Sequence, residues 1–310
     1  MQEKQYEVVT IGAGPTALTA AIYTTREDIE TVLLEKGVIG GLAATTDWID
    51  NYPGFPDGIS GIDLSENLRK QAERFGAKID LAEVSDVSYE DGLVKLSTTD
   101  GQISAKAVLI ATGSDYKKLG IPGETEYYAR GVHYCATCDG AFYRDKKIAV
   151  VGGGNSAVQE ALFLTKFASS VDLLVRSDKF RASDVLLHEL EKNDKITVHM
   201  NTTTDEIVGN DQFVNKVIGT DKLANKKVEF DVDGVFIFIG LLPNTGFLNG
   251  KVELDEIGLI KTDDQLKTNI QGVFAAGDVR SGATMQIASA VGEGATAAMR
   301  IREYLDSLPK

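Results

Sequence analysis

The sequence predicts an α/β protein of two three-layer domains, with the second domain inserted into the first. Three observations predict it. A strand, a glycine-rich turn and a helix follow one another twice in the chain, 140 residues apart. Each copy is followed by a buried apolar strand that ends in glycine, at Gly113 and at Gly240. A third strand of this kind returns near the C-terminus and ends in Gly277-Asp278.

The composition is that of a folded, acidic protein. Of the 310 residues, 43% are hydrophobic and 25% are charged, which excludes a wholly disordered chain. The 46 acidic residues outnumber the 32 basic ones and give a net charge of −14, so we expect no nucleic-acid partner. The longest apolar run, residues 235–242, is far shorter than the roughly 20 residues of a membrane-spanning helix. With no targeting signal before the first strand, we expect a soluble, cytoplasmic protein.

The first glycine-rich turn is typical of a Rossmann-like dinucleotide-binding unit. An apolar strand leads into Gly12 and Gly14, and a helix-period stretch begins at Ala17. These glycines allow a tight turn and let backbone N–H groups approach a pyrophosphate at the helix N-terminus. Glu35 ends the next strand, 23 residues after Gly12. A carboxylate there accepts hydrogen bonds from a ribose 2′-OH, so the first copy predicts an adenosine with a free 2′-OH, as in FAD.

The second turn differs at the position that selects the coenzyme. Its glycines are Gly152 and Gly154, and Val175 stands where the first copy has Glu35. Two cations and one hydroxyl follow, on Arg176, Ser177 and Arg181. Since no carboxylate repels a 2′-phosphate and two guanidinium groups can receive one, we predict NADPH for this copy. The alternative interpretation is that these arginines are solvated surface residues.

The third glycine-ending strand favours a flavin in the first domain. Asp278 at the strand end is placed to hold a ribityl hydroxyl, and a helix predicted over residues 286–304 follows it. Taken alone, Gly277-Asp278 is more typical of an ordinary turn with an N-cap. Residues 83–100 alternate between apolar and polar and predict a small antiparallel hairpin set packed on the first domain.

Two changes in composition predict the domain boundaries. Apolar strands give way to polar residues, glycine and proline near residues 114–118 and 243–246. Residues 1–116 and 246–310 therefore form a discontinuous FAD-binding domain. Residues 117–245 form the inserted NADPH-binding domain.

The only two cysteines of the chain, Cys135 and Cys138, form a C-x-x-C pair just before the second glycine-rich strand. Such pairs can close into a disulfide within one turn and commonly have reactive thiols. Zinc is the competing interpretation, but a structural zinc ion needs four ligands. Without further cysteines, the remaining ligands would come from His133, Asp139, His188 or His199. An inert reduced pair is a second alternative. A redox-active dithiol beside two nucleotide sites is more coherent, so we expect no metal.

These residues carry a resemblance to a known family. Along its whole length the chain resembles the bacterial-type, low-molecular-weight thioredoxin reductases, which are class II flavoprotein pyridine nucleotide-disulfide oxidoreductases. The segment Cys-Ala-Thr-Cys-Asp-Gly over residues 135–140 is highly specific to that family, as is its place ahead of residues 152–157. Residues 50–54, residues 180–182 and the Gly277-Asp278 ending also match.

The resemblance implies a homodimeric FAD enzyme that passes electrons from NADPH to thioredoxin or a related small dithiol protein. It implies that Cys138 lies against the flavin, that the more exposed Cys135 attacks the substrate disulfide, and that Asp139 donates and accepts protons. It also implies that one domain rotates against the other, so that both the nicotinamide and the cysteine pair reach one flavin.

Two sets of cofactor residues complete the prediction. The candidate FAD residues are Gly12, Gly14, Pro15, Thr16, Glu35, Gly41, Leu42, Asn51, Val84, Ala111, Thr112, Gly113, Gly277, Asp278, Gln286 and Ile287. The candidate NADPH residues are Gly152, Gly154, Asn155, Ser156, Arg176, Ser177, Arg181 and Gly240.

The sequence departs from the family pattern at four places. The usual His-Arg-Arg for the 2′-phosphate is Val175-Arg176-Ser177, which loses one guanidinium and weakens the expected NADPH preference. Residues 40–42 read Gly-Gly-Leu instead of Gly-Gly-Gln, and Met285 replaces the usual arginine ahead of Gln286. Residues 292–295, Gly-Glu-Gly-Ala, look more like the flavoprotein component of alkyl hydroperoxide reductase.

Two alternative functions stay open. One is a disulfide reductase that takes electrons from NADH, ferredoxin or another carrier, with the second dinucleotide site vestigial. The other is a flavin-dependent NAD(P)H oxidase or ferredoxin–NADP reductase. Proteins of that second kind typically lack a C-x-x-C pair, so the pair argues against it.

Overall fold

The structure is a computed structural model that describes residues 4–46, 48–210 and 212–309. The chain divides into two compact units: unit 1 comprises Met1–Asp115 and Leu242–Lys310, and unit 2 comprises Tyr116–Leu241. Unit 2 is thus inserted into unit 1. The divisions lie one residue before the first predicted boundary and four residues before the second. The predicted domain ends at residues 1–3 and 310 lie outside the described residues.

The first part of unit 1 alternates strands and helices before it ends in a run of strands. Its elements are β1 (Lys4–Ile11), α1 (Pro15–Thr25), β2 (Thr31–Glu35), α2 (Gly41–Ala44), α3 (Gly61–Arg74), β3 (Lys78–Leu81), β4 (Val84–Glu90), β5 (Leu93–Thr98), β6 (Gly101–Ile110) and β7 (Ser114–Tyr116).

Unit 2 and the return to unit 1 follow. The elements of unit 2 are β8 (Val132–His133), α4 (Ala136–Asp139), a 3-10 helix (Gly140–Tyr143), β9 (Lys147–Val151), α5 (Asn155–Leu164), β10 (Ser170–Leu174), α6 (Asp184–Glu191), β11 (Ile196–His199), β12 (Thr202–Gly209), β13 (Val214–Asp221), β14 (Lys226–Asp231) and β15 (Gly234–Ile237). The chain then returns through β16 (Leu241–Pro243), a 3-10 helix (Gly246–Leu248), β17 (Val273–Ala275) and α7 (Ile287–Ser307).

Strand β6 organises the sheet of unit 1. The strands β3, β2, β1 and β6 are neighbours in that order, and all these pairs are parallel. The second half of β6 pairs in parallel with β17, whereas its first half pairs antiparallel with β5. The hairpin expected within residues 83–100 is β4 and β5, and it is hydrogen-bonded to β6 as a continuation of the sheet rather than merely packed on it.

Small side chains let the helices of unit 1 pack closely on one face of this sheet. Helix α1 is buried over most of its length and lies against α7, which presents Gly294, Ala297 and Ala298 as buried residues. Helix α3 begins at the N-cap Ser60, whose hydroxyl accepts a hydrogen bond from Asp63 N. A second apolar cluster on the other face includes Leu96 and Leu248. Three layers result, as expected for a Rossmann-like unit.

Unit 2 repeats the pattern of unit 1. Its parallel sheet has the order β11-β10-β9-β15-β8, so that β9, α5 and β10 correspond to β1, α1 and β2, and β15 takes the place of β6. The antiparallel strands β12, β13 and β14 form a separate sheet. The repeat in the sequence is therefore a repeat of the fold. Among the described helices, none has both the length and the apolar character needed to cross a bilayer.

Gly294 allows the contact between α1 and α7, and its replacement tests that packing. A Cβ at residue 294 would overlap the carbonyl of Thr16 and lie 3.1 Å from Thr19 Cβ. We expect Gly294→Ala to lower the free energy of unfolding by about 1–3 kcal/mol through overpacking, as measured by chemical denaturation.

Gly292→Ala is the matched control on the same helix, because a Cβ at residue 292 meets nothing within 4 Å. It should raise the free energy of unfolding by roughly 0.5–1 kcal/mol through helix propensity. Equal effects of the two variants would contradict the packing role of Gly294.

Candidate functional site

The turn between β1 and α1 in unit 1 leaves an open position at the helix N-terminus. Gly12 has a φ of 103°, and a Cβ on it would lie 2.6 Å from the carbonyl oxygen of Ala111. Gly14 is the N-cap of α1, no side chain caps the helix, and a Cβ on Gly14 would meet nothing within 4 Å. The first glycine is therefore required by the fold, whereas the second exposes uncapped N–H groups. Uncapped N–H groups at a helix N-terminus bind a phosphate well.

Glu35 is fixed at the end of β2, as a ribose-binding carboxylate requires. Its Oε2 accepts a hydrogen bond from Ala13 N at 2.7 Å, and its Oε1 accepts one from Gly37 N at 2.7 Å. Each carboxylate oxygen retains a further lone pair for a hydroxyl group. Together with the open position at Gly14, this arrangement fits an adenosine diphosphate moiety with a free 2′-OH.

The structure brings most of the other candidate FAD residues of unit 1 to the same edge of the sheet. Ala111, Thr112 and Gly113 follow β6 beside Gly12, and a Cβ on Gly41 would lie 3.9 Å from Gly14 Cα. Leu42 is the second residue of α2, and Pro15 and Thr16 open α1. Gly277 lies against the side chain of Thr16, where a Cβ would overlap the threonine hydroxyl.

The start of α7 carries a second polar contact in this region. Asn51 Nδ2 donates a hydrogen bond to Gln286 Oε1 at 3.1 Å. Gln286 is the N-cap of α7, and Ile287 is its first residue. Val84 is the exception among the candidates, because its side chain is buried in the apolar cluster that contains Leu96. Two residues before Val84, Ala82 N donates a hydrogen bond to the carbonyl of Glu35 at 3.0 Å.

Asp278 follows β17 in a fixed and largely buried turn. Its carbonyl accepts a hydrogen bond from Ser114 Oγ at 2.6 Å. Burial, aided by the negative charge of Glu293, raises the pKa of the Asp278 carboxyl to about 6. A carboxyl group with that pKa is partly protonated near neutral pH and can donate as well as accept a hydrogen bond to a hydroxyl.

The residues that hold this turn are not among the predicted site residues. Glu293 Oε2 accepts hydrogen bonds from Gly277 N at 2.8 Å and from Arg280 Nε at 3.1 Å, and its Oε1 pairs with the same guanidinium. Thr112 is held in a similar way. Asn244 Nδ2 donates a hydrogen bond to the carbonyl of Thr112 at 3.0 Å, and the Thr112 hydroxyl donates one to the carbonyl of Asn244 at 2.8 Å. The departure at residue 293 was visible in the sequence, but its partners were not.

The second glycine-rich turn, in unit 2, has the same geometry as the first. Gly152 has a φ of 146°, and a Cβ on it would lie 2.7 Å from Ala157 Cβ. Gly154 is the N-cap of α5 with no side-chain cap, and a Cβ there would meet nothing within 4 Å. The N-terminus of α5, with Asn155 and Ser156 as its first residues, is thus open to a phosphate in the same way as that of α1.

The loop that follows β10 lies across this turn. Arg181 N donates a hydrogen bond to the carbonyl of Gly153 at 2.7 Å, and Ser183 N donates to Asn155 Oδ1 at 2.8 Å. The Arg176 and Arg181 side chains are exposed, and neither forms a hydrogen bond or ion pair with another described residue. Ser177 Oγ donates to the carbonyl of Lys179 at 2.8 Å.

A further cation lies beside Arg176. Lys222 Nζ donates a hydrogen bond to the carbonyl of Arg176 at 3.3 Å, and its backbone N–H donates to the carbonyl of Asn201 at 2.9 Å. Asn201 N in turn donates to the carbonyl of Ser177 at 3.0 Å. The sequence carried no signal for Lys222, because it lies 46 residues from Arg176 on the β13–β14 connection. Gly240, after β15, lies within 3.5 Å of the Lys117 side chain, measured from a Cβ built on it.

Cys135 and Cys138 form a disulfide, with their Cα atoms 5.3 Å apart. Both residues are half-buried, and the greater exposure expected of Cys135 stays a prediction. Cys135 is the N-cap of α4, and Cys138 N donates a hydrogen bond to Cys135 Sγ at 3.2 Å. A backbone N–H at this sulfur stabilises a thiolate when the disulfide is reduced, which favours Cys135 as the nucleophile.

Asp139 follows Cys138 and is paired with a histidine. His133 Nδ1 lies 3.1 Å from Asp139 Oδ2, and His133 Nε2 lies 2.7 Å from the Tyr143 hydroxyl. Of the other histidines considered as zinc ligands, His199 pairs with Asp172 at 2.8 Å. No cluster of three or more His, Cys, Asp or Glu side chains suited to a metal ion occurs among the described residues.

The chain is similar to one protein family and to named relatives. The pyridine nucleotide-disulphide oxidoreductase family matches residues 6–294. The thioredoxin reductase of Bacillus subtilis (strain 168) is 41% identical over 307 residues, covering 99% of this chain and 97% of that protein. The thioredoxin reductase of Listeria monocytogenes serovar 1/2a is 42% identical over 310 residues, covering 99% of this chain and 96% of that protein.

Solved structures are similar over the whole chain. The thioredoxin reductase of Streptococcus pyogenes MGAS5005 superposes with a TM-score of 0.93 at 40% identity, covering 99% of this chain and 100% of that one. The thioredoxin reductase of Lactococcus lactis, described as being in the FR conformation, superposes with a TM-score of 0.67 at 42% identity, covering 98% of this chain and 100% of that one.

The raised pKa of Asp278 predicts a stability change with pH in the protein freed of bound nucleotides. The folded value of about 6 exceeds the ordinary 3.8, so the folded state keeps a proton that the unfolded state has lost between these pH values. The contribution of Asp278 to the free energy of unfolding should therefore fall as the pH rises from about 4 to above 6. The fall is at most about 3 kcal/mol. Asp278→Asn should abolish that contribution.

Urea denaturation of the unmodified protein and of the Asp278→Asn variant between pH 4 and 7.5 measures this contribution. The other titrating groups are present in both proteins, so their effects cancel in the difference between the two free energies of unfolding. The asparagine variant should gain stability relative to the unmodified protein as pH rises. Parallel pH profiles would show that Asp278 is not buried as a proton-holding carboxyl.

Proposed function

Because the chain belongs to the pyridine nucleotide-disulphide oxidoreductase family, and within it to the thioredoxin reductases, we propose that it is a thioredoxin-disulfide reductase. It uses FAD and NADPH to reduce thioredoxin or a similar small dithiol protein through Cys135 and Cys138. The observation that carries the proposal is the disulfide between these cysteines, in the same unit as the second dinucleotide-type turn. A protein that only oxidises NAD(P)H needs no such pair.

Unit 1 is the proposed FAD site. The N–H groups at the start of α1, exposed by Gly14, would bind the pyrophosphate, and Glu35 would accept hydrogen bonds from the adenosine ribose. Asp278 would bind a ribityl hydroxyl from its fixed turn, and the linked Asn51 and Gln286 would contact the ring system. Bound FAD would supply the redox group that accepts hydride from the coenzyme and delivers electrons to the disulfide.

Unit 2 is the proposed NADPH site. The N–H groups at the start of α5 would bind the pyrophosphate of the coenzyme, and Gly240 marks the matching turn after β15. Arg176 and Arg181, with the Ser177 hydroxyl, would bind the 2′-phosphate. Lys222 would add a cation to that set, since its ammonium group lies against the carbonyl of Arg176. The proposal of NADPH over NADH thus rests on more than the two arginines.

The cysteine pair carries the thiol chemistry once it is reduced. The Cys135 thiolate, supported by Cys138 N–H, would attack the partner disulfide and form a mixed disulfide. Cys138 would then resolve it, with Asp139 accepting and donating the protons. Two electrons pass in this way from the dithiol to the partner, and the Cys135–Cys138 disulfide forms again.

Three further expectations stay part of the proposal. A homodimer and a cytoplasmic, reducing location suit a dithiol reductase, and sedimentation of the purified protein tests the first. Rotation of one domain against the other is the third expectation, and it rests on the resemblance to the family.

The coenzyme site makes a kinetic prediction. We expect kcat/KM to be higher for NADPH than for NADH. Arg176→Gln should lower the NADPH value on the order of 10-fold, and Lys222→Gln by a smaller factor, because each removes a charge-assisted contact to the 2′-phosphate. Neither should change the NADH value by more than about 2-fold.

Lys166→Gln is the control, since Lys166 lies beyond the C-terminal end of α5, away from the open N-terminus. It should leave both values unchanged. An NADH preference in the unmodified protein would overturn the coenzyme assignment, and a loss with both coenzymes would contradict a role in 2′-phosphate binding.

The cysteine pair makes a second prediction. Cys135→Ser should leave flavin reduction by NADPH intact but abolish thioredoxin reduction, because hydride transfer does not need the nucleophile. Cys138→Ser should also lose turnover, while a mixed disulfide accumulates through Cys135, detectable by mass spectrometry under non-reducing conditions. Turnover at the unmodified rate in either variant would rule out the redox role of the pair.

A further inference from the structure

His133 lies between two hydrogen-bonding groups next to the cysteine turn. Its Nδ1 is 3.1 Å from Asp139 Oδ2, and its Nε2 is 2.7 Å from the Tyr143 hydroxyl. The side chain of His133 is only 9% exposed, and that of Asp139 is 23% exposed. Tyr143, His133 and Asp139 therefore form a row of close polar contacts that runs from the interior of unit 2 to the edge of the C-x-x-C turn.

Aromatic packing fixes the imidazole ring in this row. Phe236 is the partner of His133 in the β8–β15 register, and its ring is stacked on the imidazole at 5.2 Å between centroids. Tyr143 meets His133 and Phe236 edge-on, at 5.3 Å from each. Gly234 makes room for the tyrosine, because a Cβ there would overlap the Tyr143 ring. With rings on two sides, His133 has no freedom to turn away from Asp139.

The Tyr143 hydroxyl meets the imidazole nitrogen that faces away from Asp139. Burial, followed by the negative charges of Asp139 and Asp233, raises the pKa of the Tyr143 hydroxyl well above its ordinary value. Tyr143 is therefore a phenol that can donate its proton to His133 Nε2. In the tautomer that matches this donation, Nδ1 carries the hydrogen and faces Asp139 Oδ2 at 3.1 Å.

We propose that His133 is a positioning residue for Asp139, holding one carboxylate oxygen through Nδ1–H while Tyr143 sets the tautomer of the ring. The inference deepens the proposed function and rests on it for the role of Asp139. The backbone keeps the carboxylate in the cysteine turn, since Asp139 N donates a hydrogen bond to the carbonyl of Cys135 at 3.2 Å.

The step that such positioning serves is resolution of the mixed disulfide. The Cys138 thiol gives its proton to Asp139, and the Cys138 sulfur forms a bond to the Cys135 sulfur. The bond between Cys135 and the partner sulfur breaks, and the partner leaves as a thiolate with the electron pair. That thiolate then takes a proton, so the dithiol is oxidised by two electrons and the partner disulfide is reduced by two.

Other charged groups around the row belong to different elements. Asp233 precedes β15 and accepts a hydrogen bond from Lys147 N at 3.0 Å. Lys146 Nζ lies 5.4 Å from the centroid of the Tyr143 ring. Helix α5, packed against α4, carries Glu160, whose pKa burial raises. Among the described residues, Asp139 is the carboxylate paired with His133.

A double-mutant cycle tests the inference on the reduced protein, without relying on turnover. Iodoacetamide alkylation of each cysteine is followed against pH by peptide mass spectrometry. His133→Leu should move the pH of half-maximal alkylation upward by about 0.5–1 unit, because an unheld carboxylate opposes thiolate formation. In an Asp139→Asn background the same substitution should cause no shift, since the carboxylate through which it acts is gone.

Variants that keep part of the row sharpen the test. His133→Asn places an amide N–H near the position of Nδ1 and should restore the midpoint. Tyr143→Phe keeps the ring and should give a smaller upward shift, and it serves as the readout if His133→Leu does not fold. His199→Leu is the matched control, because His199 also pairs with an aspartate, at 2.8 Å, and meets Phe230 edge-on. It should leave the alkylation midpoint unchanged.

Turnover gives a second readout and separates the two proposals. His133→Leu should lower kcat for thioredoxin reduction by about 10-fold with KM for thioredoxin unchanged, and His133→Asn should recover most of it. An unshifted midpoint in both His133→Leu and Tyr143→Phe, or an equal shift in the Asp139→Asn background, would overturn the role of His133. An unmodified protein that fails to reduce thioredoxin with NADPH, yet shows the coupling in alkylation, would overturn the proposed function instead.

Discussion

The close approach of two strand ends at each glycine-rich turn is the constraint on which the rest of the molecule depends. At Gly12 the backbone passes so near the carbonyl of Ala111 that a Cβ would lie 2.6 Å away. Only a residue without a side chain lets β1 and β6 stay paired to their ends and still turn at once into α1. Gly152 meets the same limit in unit 2, where a Cβ would overlap the carbonyl of Phe238 just after β15. Each turn thereby leaves a helix N-terminus open at the carboxyl edge of a parallel sheet.

The side chains at that edge in unit 1 are held by backbone and by each other, before any ligand is considered. Glu35 is fixed by two backbone N–H groups, and the turn at Gly277 is fixed by Glu293 and its guanidinium partner Arg280. Such preorganisation lowers the ordering cost of binding, because the polar groups already point to one place. Glu293 also lies near a second carboxyl, on Asp278, whose pKa is raised by burial and by the negative charge of Glu293.

Unit 2 combines two chemistries that a disulfide reductase must keep close. The cysteine turn lies on α4, and the proposed coenzyme turn opens α5, which packs against α4. The row of Tyr143, His133 and Asp139 belongs to the same unit, so the proposed proton donor and acceptor, Asp139, lies in the same unit as the thiols. Any motion between the units would therefore leave the geometry of the thiol site intact.

By itself the sequence determined the two βα repeats, the insertion of one unit into the other and the cysteine pair. These features depend on glycine spacing, apolar periodicity and residues three positions apart, all of which are local along the chain. Tertiary structure alone decided that β6 is shared between β5 and β17, that Lys222 lies beside Arg176, and that Glu293 holds Gly277. It also decided that His133 connects Asp139 to Tyr143. These contacts join residues on different elements, and only the packing of those elements, which no local pattern encodes, brings their side chains within hydrogen-bonding distance.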